Sequence, residues 1–129
     1  MVTGIIKTEN YRTEITAKHH LLIADEPEHL GGGNVGMTPI DLLASALIAC
    51  TNITLRMYAN RKTWSVNQIT TTIEVSQEDD KTIFIRVIDI DGQIDDSQKA
   101  RMLLLANKCP VHKILSSAST INTTLNNHG

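Results

Sequence analysis

Two cysteines carry most of the chemistry that this chain could perform, and their surroundings differ. Cys50 lies within the apolar run Pro39-Ile40-Asp41-Leu42-Leu43-Ala44-Ser45-Ala46-Leu47-Ile48-Ala49-Cys50-Thr51, and Cys109 within Asn107-Lys108-Cys109-Pro110-Val111-His112-Lys113. The first is expected inside a buried helix and the second at a helix start. A sheltered thiol and a thiol at a helix N-terminus form a layout that a two-cysteine redox centre needs. The thiolate is the reactive species; apolar burial disfavours it, while cations and helix N-termini favour it. With Pro110 as the first helical residue, Cys109 becomes the N-cap, where backbone N–H groups favour an anion. Lys108 and Lys113 add positive charge nearby. For Cys50 the basic candidates are Arg12, Arg56 and Arg61. Arg56 points away from Cys50 around the helix, so Arg12 could reach only through the fold or from a partner chain. The plainer alternative stays open for both residues, because free cysteine is a common core filler.

Other chemistries have weaker support. Cys109-Pro110-Val111-His112 contains a Cys-x-x-His pair, but zinc needs two further ligands and no second pair has suitable spacing. His19 and His20 are adjacent on a strand and face opposite ways, while His29 sits in an acidic loop. Asp41 follows the cap Thr38 by three residues, so helix capping explains it better than catalysis. The acidic run Asp25-Glu26-Glu28 reads as a solvated loop. Gly31-Gly32-Gly33-Asn34-Val35-Gly36 lacks the spacing and context of a phosphate loop, and neither Gly-x-Ser-x-Gly nor Cys-x-x-Cys occurs.

The elements that must position the thiols follow from patterning. Val2–Lys7, Tyr11–Ala17 and Leu21–Ala24 read as extended segments. Thr38 and Pro39 open a helix that runs to about Asn60 and leaves almost no polar face in its first half. Such a helix must be buried nearly all round, most easily with a second subunit covering part of it. Ser65–Gln77 and Thr82–Ile90 alternate as two long strands across a hairpin at Glu78-Asp79-Asp80-Lys81. Asp95-Asp96-Ser97 opens a helix to about Lys108, a short helix covers Pro110–Ser117, and Thr120–Leu125 makes a last strand. The order predicts an α+β fold, a mostly antiparallel sheet against a central helix, in one domain spanning residues 1–129.

Bulk properties narrow the class. The chain has 129 residues, enough for one domain with a real core, and only 3% aromatic residues, so aliphatic side chains must fill that core. A net charge of −2 without a basic block argues against nucleic acid or an anionic membrane as partner. No unbroken apolar run approaches the length of a membrane span, and Met1–Lys7 lacks an export signal. The expectation is therefore a cytoplasmic protein, where a cysteine pair is more often redox-active or metal-binding than a permanent bridge.

Three stretches together resemble the OsmC/Ohr family, the osmotically inducible and organic-hydroperoxide-resistance proteins. They are Gly31-Gly32 with Thr38-Pro39 leading into Leu42–Thr51, then Thr54-Leu55-Arg56-Met57-Tyr58-Ala59-Asn60-Arg61-Lys62, and lastly Cys109-Pro110-Val111-His112-Lys113. The resemblance implies an intertwined homodimer with the long helices buried together, and a thiol peroxidase. Carried over, Cys50 is the peroxidatic cysteine that attacks the O–O bond and becomes a sulfenic acid. Cys109 is the resolving cysteine, and a small dithiol such as dihydrolipoamide reduces the resulting disulfide. No metal, flavin or haem is implied, and apolar walls suit an organic hydroperoxide. The best-known branches also set an arginine from an early strand, here Arg12, and a glutamate after the helix-opening proline. In this chain that glutamate position is Ile40. The resemblance thus leaves a second possibility, a non-catalytic OsmC-like protein that binds a small apolar ligand at the dimer cleft.

Overall fold

A computed structural model describes all residues, Met1–Gly129, and its contacts divide the chain into two compact units. The first contains Met1–Ile48 and Thr71–Val87, the second Ala49–Thr70 and Ile88–Gly129. Strands β1 (Thr3–Ile6), β2 (Thr13–Ala17) and β3 (His20–Ala24) precede a long helix, α1 (Pro39–Lys62). Strands β4 (Ser65–Glu78) and β5 (Lys81–Gln93) and helices α2 (Asp96–Ala106) and α3 (Pro110–Leu115) follow. The fold is α+β with antiparallel sheets and a long helix, as the patterning predicts, and the strands form two sheets, β1-β2-β3 and β4-β5.

In the first unit, β2 pairs antiparallel with both neighbours, Thr3 facing Thr16 on one side and Ala24 facing Thr13 on the other. Its Thr13, Ile15 and Ala17 are half-buried while Glu14 and Thr16 are exposed, the alternation expected of a strand covered on one face. After β3 the chain turns on Asp25, which is only 2% exposed. Asp25 Oδ1 accepts from the backbone N–H groups of Tyr11 (3.1 Å) and Glu26 (2.8 Å), and Oδ2 from that of Val35 (3.2 Å). This residue is no part of a solvated acidic loop. Its carboxylate ties β2, β3 and the glycine loop together, a role invisible in a run of acidic residues. Two glycines allow the close approach, since a Cβ on Gly32 would run into the Glu26 carbonyl and one on Gly36 into that of Ile23. Met37 then bridges Ala24, and Thr38 Oγ1 accepts from the Asp41 N–H at 3.2 Å to start α1.

The β4–β5 hairpin turns at Asp79-Asp80, both with positive φ (47° and 66°), the twist-compatible geometry of a two-residue loop. In the second unit, Leu55 and Ala59 of α1 pack with Val66 of β4 and Met102 and Ala106 of α2. Trp64, Ile88, Ile90 and Leu105 close around them. Burying Leu55 contributes about 1.5–3 kcal/mol. Thr63, at φ 56°, reverses the chain after α1, and the Trp64 N–H bonds the Ala59 carbonyl at 2.9 Å. Asp95 and Gln98 cap α2 reciprocally, with both bonds at 2.8 Å.

Three expectations change. The helix expected to be buried nearly all round leaves Ile40, Leu43, Ile53 and Met57 exposed, because this chain supplies no side chains to cover them. By length and composition α1 could also cross a membrane. Ser45, Thr51, Asn52 and Thr54 interrupt the apolar run without making the helix polar overall. The strand expected at Thr120–Leu125 is absent: these residues form no element, and Ile121 and Leu125 are 87% and 86% exposed. Free sheet edges exist at β1, β3, β4 and β5, but residues 120–125 pair with none of them.

The Asp25 carboxyl sets a pH dependence. Burial pushes its pKa up, but N–H donors from Glu26, Val35, Tyr11 and Gly33 outweigh this and hold it below the ordinary value of 3.8. A depressed folded-state pKa means that the unfolded chain binds the proton more readily, so stability rises with pH through that window. The contribution is complete above about pH 4 and is lost as pH falls through the folded-state value. In urea titrations across pH 2–6, Asp25→Asn is expected to be less stable than wild type near neutrality, and the difference to shrink in acid.

Candidate functional site

Both cysteines are free thiols and both belong to the second unit. Cys50 is on α1, half-buried, with Ile53 and Met57 following at helical spacing on the same stripe. Those two side chains are 54% and 62% exposed, so Cys50 stands at an open apolar surface. Cys109 is completely buried. Cys109 stands at a helix start as expected, but it is the sealed thiol of the two, while Cys50 is less buried than its apolar helix suggests.

The reason lies in the joint between α2 and α3. The Lys108 N–H bonds the Leu105 carbonyl at 3.0 Å and the Cys109 N–H bonds the Ala106 carbonyl at 3.4 Å, which draws the chain tightly past the core residues Met102 and Ala106. Cys109 is then the N-cap of α3, in extended geometry (φ −64°, ψ 144°), with Pro110 in the first turn where its missing N–H costs nothing. The Cys109 Sγ accepts the His112 backbone N–H at 3.4 Å, within reach of a sulfur acceptor.

The remaining residues singled out in the sequence are placed as follows. Arg12 lies in the first unit, where its guanidinium meets Glu14 at 2.9 Å in an exposed ion pair, an arrangement worth about 0–1 kcal/mol. Arg56 donates to the Val66 carbonyl at 2.9 Å and so ties α1 to the start of β4. Asp41 belongs to the first turn of α1, and Ile40 beside it is 54% exposed. No three His, Cys, Asp or Glu side chains converge to hold a metal ion.

Sequence reasoning misses a cluster around Tyr58. Arg101 Nε donates to the Tyr58 hydroxyl at 3.3 Å, Lys62 Nζ lies 5.8 Å from the ring centre, and Trp64 meets the ring edge-on at 5.3 Å. The Arg101 hydrogen bond first, and the charges of Lys62, Arg101 and Arg61 with it, hold the tyrosine pKa below its ordinary value against partial burial. The spacing of Tyr58 and Lys62 hints at their contact; nothing in the sequence points to Arg101.

This arrangement can perform thiol chemistry with one accessible and one protected sulfur. In folded, reduced protein one thiol per chain is expected to react with DTNB within minutes and the second only on unfolding. Cys50→Ser should remove the fast reaction; an equally fast reaction in that variant would contradict the burial of Cys109.

Comparison with known proteins adds to this geometry. A sequence profile of the family described as OsmC-like protein matches residues 31–124. Among solved structures, the chain is similar to an OsmC like protein from Mycoplasma pneumoniae, with 18% identity and a TM-score of 0.76 over 90% of this chain and 86% of that one. It is also similar to an organic hydroperoxide resistance protein, OsmC, from Legionella pneumophila (20% identity, TM-score 0.61, 88% and 85% covered). A third is an organic hydroperoxide resistance protein from Elizabethkingia anophelis (17% identity, TM-score 0.62, 87% and 84% covered). At such identities the likeness establishes the fold. No protein of curated function matches the sequence.

Proposed function

The chain belongs to the OsmC-like protein family, matched over residues 31–124, and from that premise we propose that it is a thiol-dependent peroxidase acting on organic hydroperoxides. The observation that carries this reading is the placement of Cys50, a half-exposed free thiol on an apolar helical stripe, in the same unit as the sealed thiol Cys109. An apolar surface beside the reacting sulfur favours a substrate with a hydrocarbon body over hydrogen peroxide. Organic hydroperoxide resistance proteins of similar fold give the reading its direction.

In the reaction, the Cys50 thiolate attacks the terminal oxygen of ROOH. An S–O bond forms, the O–O bond breaks, and RO⁻ leaves and takes a proton to become the alcohol. The sulfur is oxidised to the sulfenic acid while the peroxide is reduced by two electrons. Cys109 Sγ then attacks the Cys50 sulfur, forming the disulfide and releasing water. A small dithiol of the dihydrolipoamide type reduces the disulfide by exchange and becomes a cyclic disulfide itself. Arg12 enters only through the resemblance, as the arginine from an early strand. The reading places the protein in the cytoplasm, as a single OsmC-like domain, where a dithiol pool keeps thiols reduced.

The active species in this proposal is a homodimer. Ile53 and Met57 are large apolar side chains at helical spacing on one stripe of α1, and an unpartnered stripe of this kind calls for a covering surface. Ile53→Glu is expected to shift the species measured by light scattering from dimer to monomer; a monomeric wild type would refute the dimer.

One observation favours a second reading. The position that carries a glutamate in the best-known branches is Ile40 here, and a carboxylate that could orient the arginine is missing from it. A non-catalytic OsmC-like protein binding a small apolar ligand would need no such group. Turnover decides between the two. With cumene hydroperoxide and dihydrolipoamide, wild type is expected to consume peroxide, and Cys50→Ser to fall to the rate of buffer alone. Cys109→Ser should form one sulfenic acid per chain, trapped by dimedone, and then turn over far more slowly. No consumption by wild type, or equal consumption by Cys50→Ser, would sink the peroxidase reading.

A further inference from the structure

The charges of this chain are divided unevenly. Its net charge is −2, yet the second unit carries seven Lys and Arg against four Asp, a net +3 with histidine neutral. Those four acids lie within residues 89–96, and no acidic side chain follows them. Three of the cations meet at one aromatic side chain. Lys62 Nζ and the Arg101 guanidinium carbon stand 5.8 Å and 5.6 Å from the Tyr58 ring centre, both within cation–π range. Arg61, one helical turn on from Tyr58, acts by its charge on the same hydroxyl. All three cations are exposed, and none is paired with a carboxylate. Arg61 and Lys62 sit in the last turn of α1, where a cation complements the helix dipole. That explanation does not extend to Arg101, which comes from the middle of α2 and adds its charge to two others.

The donors left over define what this cluster can hold. Arg101 spends Nε on the Tyr58 oxygen at 3.3 Å, so both of its Nη groups remain to donate. The Tyr58 oxygen accepts that bond, and its own proton is free for an outside acceptor. A compact dianion with several acceptor oxygens engages the guanidinium, the ammonium and the phenol at once, whereas a monocarboxylate satisfies fewer of them. A nucleic acid strand calls for a row of cations along its backbone, and these converge on one point. A whole anionic membrane surface is a poor match for a chain whose net charge is −2. We propose that Arg101, Lys62 and Tyr58 bind the phosphate group of a small soluble phosphate monoester, with Arg61 adding charge. Such a group is close to a dianion at pH 7. Neither cysteine takes part, so the site stands or falls apart from the peroxidase reading.

Calorimetric titration of the intact protein at fixed low ionic strength tests the proposal, with glycerol 2-phosphate as probe and acetate as control. Glycerol 2-phosphate is expected to bind with Kd below about 5 mM, and acetate about tenfold more weakly or not at all. Arg101→Gln and Lys62→Gln should each weaken binding about tenfold, and Tyr58→Phe about threefold, while thermal melts report that the variants remain folded. Lys99→Gln removes the same charge from an exposed position of α2 outside the cluster and is expected to bind like wild type. In sedimentation with phosphatidylcholine vesicles that contain phosphatidic acid, the protein is expected to stay in solution. The proposal is overturned if glycerol 2-phosphate does not bind, or if acetate binds as well. It is equally overturned if Lys99→Gln weakens binding as much as Arg101→Gln, or if the protein binds the vesicles rather than the free ester.

Discussion

Leu55 is sealed among Ala59, Val66, Met102 and Ala106, and this contact between α1, β4 and α2 fixes everything chemical in the second unit. Cys50 lies upstream of Leu55 on the same helix, so the seating of Leu55 sets which way the Cys50 stripe turns. Met102 and Ala106 are the last buried residues before the α2–α3 joint, so the same contact sets where Cys109 comes to rest. The apolar transfer energy is non-directional. Interdigitated packing converts it into position, and the hydrogen bonds of the joint complete the placement.

The two thiols consequently meet different solvents. Around Cys109 the chain has folded shut, and the sulfur's polar contact is a backbone N–H from within its own turn. Around Cys50 the protein has stopped short, with aliphatic and thioether side chains facing outward. A stripe of that composition is costly in water and useful against another apolar surface, which links the exposure of α1 to assembly as well as to substrate choice.

Much of the architecture was legible because it rests on local rules. Thr38-Pro39 announces the start of α1, Asp95 with Gln98 that of α2, and the alternation of β4 and β5 points to the Asp79-Asp80 turn. What could not be read depends on contacts distant in sequence. Nothing local distinguishes Asp25, which gathers N–H groups from Tyr11 and Val35, from its solvated neighbour Glu28. Arg101 reaches Tyr58 across a separation that no periodicity spans. The exposure of Cys50 is illegible for a related reason: a thiol in an apolar helix suggests burial, but burial depends on what the rest of the chain supplies. The family is legible from motifs alone.

The N-cap at Cys109 bears on why sulfur stands there. A serine hydroxyl accepts the same backbone N–H and is among the preferred residues at helix starts, whereas a thiol sulfur is a weak acceptor. Judged as a cap alone, Cys109 is the poorer choice. Its larger, more polarisable atom fills the sealed space beside Ala106 and brings an electron-transfer capacity that oxygen lacks. The helix start thus gives up some capping strength for sulfur, and what sulfur returns is bulk and reactivity.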